Sequence, residues 1–182
     1  MTLALTLGIN IGLKKTLYMM YGELLGVALV ASLSLLGAAT VMLNYPSLFL
    51  ILKYAGGAYL IYLGIQLWQS KGKMSIKSEN CATTITKKSL ALQGFITAIS
   101  NPKGWAFFIA FLPPLIDQSK TIAPQFITLI VIIVLVEFIS LFLYASGGNI
   151  LKKILENNSN VKLLNRISGS LMIVIGLWLA FG

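Results

Sequence analysis

Five apolar runs of about twenty residues or more, with one shorter piece before them, make up most of the chain. A helical run of that length crosses the ~30 Å hydrocarbon core of a bilayer. The short piece is Met1 to Leu13, too brief to span as a straight helix. The runs that follow are Thr16–Leu43, Leu48–Gln69, Leu90–Ile116, Ile122–Gly147 and about Leu163–Gly182. Between them stand "NYPS" (Asn44–Ser47), a polar segment rich in Lys, Ser and Thr (Ser70–Ser89), "DQSK" (Asp117–Lys120) and a polar loop, Asn149–Asn160. The pattern predicts an all-α integral membrane protein with about six transmembrane helices, the first of them truncated.

Composition sharpens this picture. Hydrophobic residues make up 57% and charged residues only 10% of the 182, with a mean hydropathy of +0.87. A soluble domain is ~25% charged, and a chain this apolar needs lipid as its solvent. The net charge of +9 would suggest nucleic acid in a soluble protein. Here the cations gather in alternate connections, and no nucleic-acid partner is expected. Lys14 and Lys15 follow the first piece, Lys71, Lys73, Lys77, Lys87 and Lys88 follow the third, and Lys152, Lys153, Lys162 and Arg166 follow the fifth. The other connections hold only Lys120, with Lys53 just inside the third segment. The positive-inside rule makes the basic connections cytoplasmic and puts both termini outside. The absence of histidine and the single cysteine, Cys81, exclude a His/Cys metal site and an intrachain disulfide; no cofactor is implied. The N-terminus is not a secretory signal, because its lysines follow the apolar stretch instead of preceding it.

"GAYLIYLGIQLW" from Gly57 is echoed by "GSLMIVIGLWLA" from Gly169. In each, two glycines stand seven apart, an aliphatic run lies between, a tryptophan follows and a base precedes (Lys53, Arg166). Glu23 and Glu137 lie at nearly the same offset. Two halves of three helices must enter the membrane from opposite sides, as in the inverted repeats of many secondary transporters. The expected organisation is a 3+3 inverted repeat: residues 1–69 as a first half with an incomplete first helix, 70–89 as a cytoplasmic basic loop, and 90–182 as the second half. The same offset puts the counterpart of Pro102 upstream of Met1, so the first half is expected to lack its start.

The second half holds "ISNPKGWAFFIAFLPPLI", where Asn101, Pro102 and Lys103 interrupt an apolar run. Proline clashes with the carbonyl four residues back and turns Asn101 away from helical geometry. Yet Asn is a good N-cap and Pro suits a first helical position. The triplet therefore predicts a helix start inside a span, and a broken span fits the charge rule better than a re-entrant hairpin. Such a start offers unpaired N–H groups and a positive dipole end to an anion, and Lys103 adds a full charge. An internal carboxylate or a substrate's carboxylate could offset it; Lys103 snorkelling from a surface position is the alternative. Glu23 and Glu137, flanked by apolar residues, are candidates for proton or amine coupling, with a structural Glu–Lys pair as the alternative. Gly22, Gly26, Gly56, Gly57 and Gly64 suit close helix packing. Tyr18, Tyr21, Trp68 and Trp178 suit interfacial belts. Asn10, Gln66 and Gln93 are polar enough to line a cavity, but nothing singles them out.

"NPKGWAFFIAFLPPLI", "KYAGGAYLIYLGIQLW" and "GELLGVALV" together resemble the fourth, third and second helices of the LysE/RhtB family of amino-acid exporters, over nearly the whole chain. The resemblance implies a multi-pass protein of the bacterial inner membrane that exports amino acids or close derivatives, driven by the proton gradient. Asn101, Pro102 and Lys103 would then hold the substrate carboxylate, and Glu23 and Glu137 would serve the amine or the proton. Family members usually carry a Pro-Gly-Pro motif before the stretch matching "MTLALTLGINIG", and this chain begins at that Met. A truncated, non-transporting membrane protein or an assembly partner is the alternative function. A membrane thiol–disulfide carrier would need paired cysteines within the helices, against the lone Cys81. The sequence leaves a homo-oligomer open.

Overall fold

The computed structural model describes residues 2–70, 86–117, 119–147 and 157–181. Every regular element among them is helical. The chain runs α1 (Thr2–Ile11), α2 (Leu13–Asn44), α3 (Pro46–Gln69), α4 (Lys87–Ile99), α5 (Pro102–Phe111), α6 (Ile122–Ser146) and α7 (Asn158–Phe181), with a 3-10 turn at Pro113–Leu115 after α5. Leu13–Gly37, Ile122–Ser146 and Asn158–Phe181 are each long and apolar enough to cross a bilayer, and α4 with α5 makes a fourth such span. At ~1.5 Å per residue, the 24 residues of α3 reach about 36 Å. Lys71, Lys73, Lys77, Cys81, Lys152 and Lys153 lie outside the described residues.

Boundaries differ from the expected ones where capping chemistry decides. Gly12 separates α1 from α2 with φ 79°, ψ 159°, a backbone state that favours glycine. Lys14 and Lys15 thus sit in the first turn of α2, not in a loop. The expected four-residue turn shrinks to Tyr45. Its N–H still bonds the Val41 carbonyl, and Pro46, which has no N–H to leave unpaired, opens α3. Thr86 accepts a hydrogen bond from Ser89 N at 3.1 Å and so starts α4 at Lys87, three residues early. In the opposite turn, Asp117 N donates to Gln125 Oε1 and Gln125 Nε2 to Asp117 O, both at 2.9 Å. Hydrogen bonds from Ser119, with Lys120 alongside, hold the Asp117 carboxyl below its usual range.

Two helix pairs organise the packing. α2 and α4 run parallel: Gly22 lies against the Ala91 carbonyl, Gly94 against Met19 and Glu23, and Gly26 against Phe95 and Ala98. α3 and α7 run antiparallel through the echoed glycines. A methyl built on Gly57 would stand 2.9 Å from the Gly176 carbonyl oxygen, and one on Gly64 would stand 2.6 Å from that of Gly169. Exchanging each glycine for its echo turns one contact into the other, so this interface is symmetric in sequence and in space. α5 links the pairs, with Ala110 packed among Leu60 and Leu179.

Basic residues collect at one end. Lys87 Nζ sits 5.0 Å from the Tyr18 ring centroid, and the Arg166 guanidinium 4.8 Å from that of Trp68. Trp68 Nε1 also donates to Ser170 Oγ at 2.9 Å. With Lys14, Lys15, Lys88 and Lys162, these define a basic end; Tyr45, Asp117 and Lys120 mark the other.

Candidate functional site

The break in the fourth span is where the sequence puts it. Asn101 leaves helical geometry (φ −85°, ψ 98°) and its Oδ1 accepts from Lys103 N at 3.2 Å. Pro102 takes the first position of α5, and the two helices bend by 54°. Beyond the bend the chain continues outward: Leu112 and Ile116 pack against Ala31 and Leu35, farther along α2 than Glu23. Past the bend the chain thus keeps its direction along α2. Trp105 Nε1 donates to the Ile99 carbonyl at 2.8 Å, supplying a partner to a group that the break strips of its helical one. Trp105→Phe is expected to cost about 1–3 kcal/mol and to lower the melting temperature in detergent by several degrees. An unchanged melting temperature would mean that this bond stabilises nothing.

A cavity of about 260 Å³ opens beside the bend. Glu23, Val27 and Val30 line it from α2, Thr97 and Ala98 from α4, Asn101, Gly104 and Phe108 from the break and α5, and Glu137 from α6. Glu23 is only 6% exposed and Glu137 is half-buried. Glu23 stands ten residues into α2 and Glu137 nine from the end of α6, each about 15 Å along its helix at ~1.5 Å per residue. Both carboxylates therefore face one chamber near the middle of a ~30 Å core. Broken backbone at such depth persists where it faces protein or a wet cavity.

Three of the five expected site residues meet here: Asn101, Glu23 and Glu137. Pro102 shapes the bend without lining the cavity. The Lys103 side chain is exposed and is not among the lining groups. Thr97, Gly104, Phe108, Val27 and Val30 were not foreseen. Helical spacing could have found them, since Val27 and Val30 follow Glu23 by four and seven, and Thr97 precedes Asn101 by four.

A cavity with two acidic walls, set at a helix break within an apolar bundle, is the architecture of a membrane translocator. The LysE type translocator family model matches residues 1–182, and the chain belongs to that family. It is accordingly a transporter and not an enzyme. It is 28% identical over 176 residues to a homoserine/homoserine lactone efflux protein of Salmonella typhimurium, covering 97% of this chain and 84% of the relative. It is 30% identical over 172 residues to a leucine efflux protein of Enterobacter, covering 91% and 79%. An uncharacterized membrane protein of Vibrio cholerae is 25% identical over 173 residues, covering 95% and 83%. No solved structure matches the chain.

Proposed function

We propose that this translocator exports amino acids or close derivatives across a bacterial inner membrane, coupled to the proton gradient. One observation carries the proposal: Glu23 and Glu137, from different helices, line a single mid-membrane cavity together with Asn101 of the broken span. An amino acid brings an ammonium for such carboxylates and a carboxylate for the N-terminal end of α5. The cavity volume lies just below the ~300–1,000 Å³ typical of small-molecule sites, which suits a substrate of amino-acid size. The efflux relatives support the same substrate class.

Asn101 Oδ1 occupies the N–H of Lys103, where a substrate carboxylate could take its place. Lys103, exposed at the same helix start, contributes charge to that approach without lining the chamber. Glu23 and Glu137 take the amine or the proton. The basic end is cytoplasmic by the positive-inside rule, and 70–89 is the cytoplasmic connection between two inverted halves, 1–69 and 90–182. The exchange-symmetric contacts of Gly57 with Gly176 and of Gly64 with Gly169 support that division.

The direct test is efflux of labelled leucine and homoserine from cells producing the full chain. Export of neither, nor of any other amino acid, would overturn the reading. Lys103→Ala is expected to cut efflux about threefold, the loss of a positive charge near the start of α5 rather than of a direct contact, with an unchanged amount of protein in the membrane. Efflux equal to that of the parent would remove Lys103 from the mechanism.

A further inference from the structure

Apolar clusters flank the mid-membrane cavity along the bundle axis on both sides. Towards the outer end, Leu35, Leu112 and Ile116 pack with Phe108. Towards the basic end, Met19, Met20, Leu90 and Leu141 pack solidly. A second concavity, a groove of about 410 Å³, runs along one face of α4 and is lined by Ser89, Leu92, Gln93, Ile96 and Thr97. Thr97 lines both the groove and the cavity. The groove reaches from the start of α4, beside Lys87 and Lys88, to the chamber wall.

Its lining is mixed: Leu92 and Ile96 are apolar, Ser89 and Gln93 are polar, and the Thr97 hydroxyl donates to the Gln93 carbonyl of its own helix. Ser89, Gln93 and Thr97 recur every fourth residue on one exposed stripe, and polar groups inside a span face protein or water. α6 supplies the contrast. Between Val131 and Leu143 its exposed residues are all apolar, Val131, Ile132, Leu135, Val136, Ile139, Phe142 and Leu143, as a lipid-facing stretch requires. Among the described residues, the groove walls carry no ionised side chain. The Gln93 amide offers both donor and acceptor capacity, so a zwitterion meets hydrogen bonds but no fixed charge that would trap it. Weak, repeated contact of this kind suits passage more than storage.

We propose that the α4 groove is a water-filled vestibule by which the transported solute reaches the cavity from the basic, cytoplasmic end, with Gln93 and Thr97 as its polar wall. The solute's identity as an amino acid rests on the reading given under Proposed function; the vestibule itself does not. The test uses the full-length chain with its only cysteine replaced, Cys81→Ser. Gln93→Cys, Thr97→Cys and, as a lipid-facing control, Ile132→Cys are added singly. Inside-out membrane vesicles are treated with a membrane-impermeant cationic methanethiosulfonate. The thiolate is the reacting form, and it needs water, so both α4 cysteines are expected to react about tenfold faster or more than the α6 control. Right-side-out vesicles should show no such excess. Labelling at the control rate, or faster only from the outer side, would overturn the proposal. Slower labelling of Thr97→Cys in millimolar leucine or homoserine is expected as well. Fast labelling that no amino acid slows would uphold the vestibule and count against the amino-acid reading instead.

Discussion

Glu137→Gln is expected to lower gradient-driven efflux by about two orders of magnitude, the rate equivalent of ~3 kcal/mol, while the protein stays folded in the membrane. Gln keeps the shape of the side chain and most of its hydrogen-bonding capacity. It cannot carry a proton on and off, and it cannot offer a full negative charge. Glu137 is half-buried on α6 and shares its cavity with Glu23 of α2 and Asn101 of the break, so either function would be lost locally. The two functions separate by assay. If Glu137 carries the proton, exchange of labelled for unlabelled substrate at equal concentrations persists in the variant, because that exchange needs no net proton movement. If Glu137 binds the amine, both modes fail together. Gradient-driven efflux unchanged from the parent would exclude both roles.

The parts of this site that were legible in the sequence are those where one residue type forces one local geometry. Pro102 cannot continue a helix and Asn101 can cap one, so the break was readable to the residue. Glu23 and Glu137 were readable because a carboxylate between apolar neighbours has no cheap place in a span. The glycine echo was readable as a pattern, and the structure gives it a use: Gly57, Gly64, Gly169 and Gly176 are points where the backbones of α3 and α7 come close. What escaped depends on which way a helix is turned. Lys103 and Gly104 are adjacent in sequence, yet only Gly104 lines the cavity, because the first turn of α5 rotates the lysine outward. Gln93 drew no distinction from Gln66 in the sequence. In space Gln93 lines the α4 groove, whereas Gln66 donates to the Tyr62 hydroxyl at 2.7 Å. Helix ends moved by a few residues where Thr86 and Gly12 set them, since a cap contributes about 1 kcal/mol and leaves little trace in hydropathy.

Gly94→Leu is expected to cost about 3 kcal/mol or more and to remove most of the protein from the membrane fraction. In lipid, helices gain little from hydrophobic exclusion and associate through close packing, so an interface built on backbone contact depends on its smallest residues. A methyl on Gly94 would run into the Met19 carbonyl and stand 2.8 Å from Glu23 N. These are backbone atoms, and no rotamer change can move them aside. The helices must separate, and the Gly22–Ala91 and Gly26–Ala98 approaches on the same face lose their dispersion contacts together. Gly37→Leu is the matched control, since a methyl there meets nothing within 4 Å; it should leave melting temperature and membrane level near those of the parent. Equal behaviour of the two variants would mean that α2 and α4 do not depend on this contact. The smaller Gly94→Ala tests the link to transport. Where that variant still inserts, moving α2 off α4 carries Glu23 away from Thr97 and Asn101. Efflux should then fall further than the loss of protein explains.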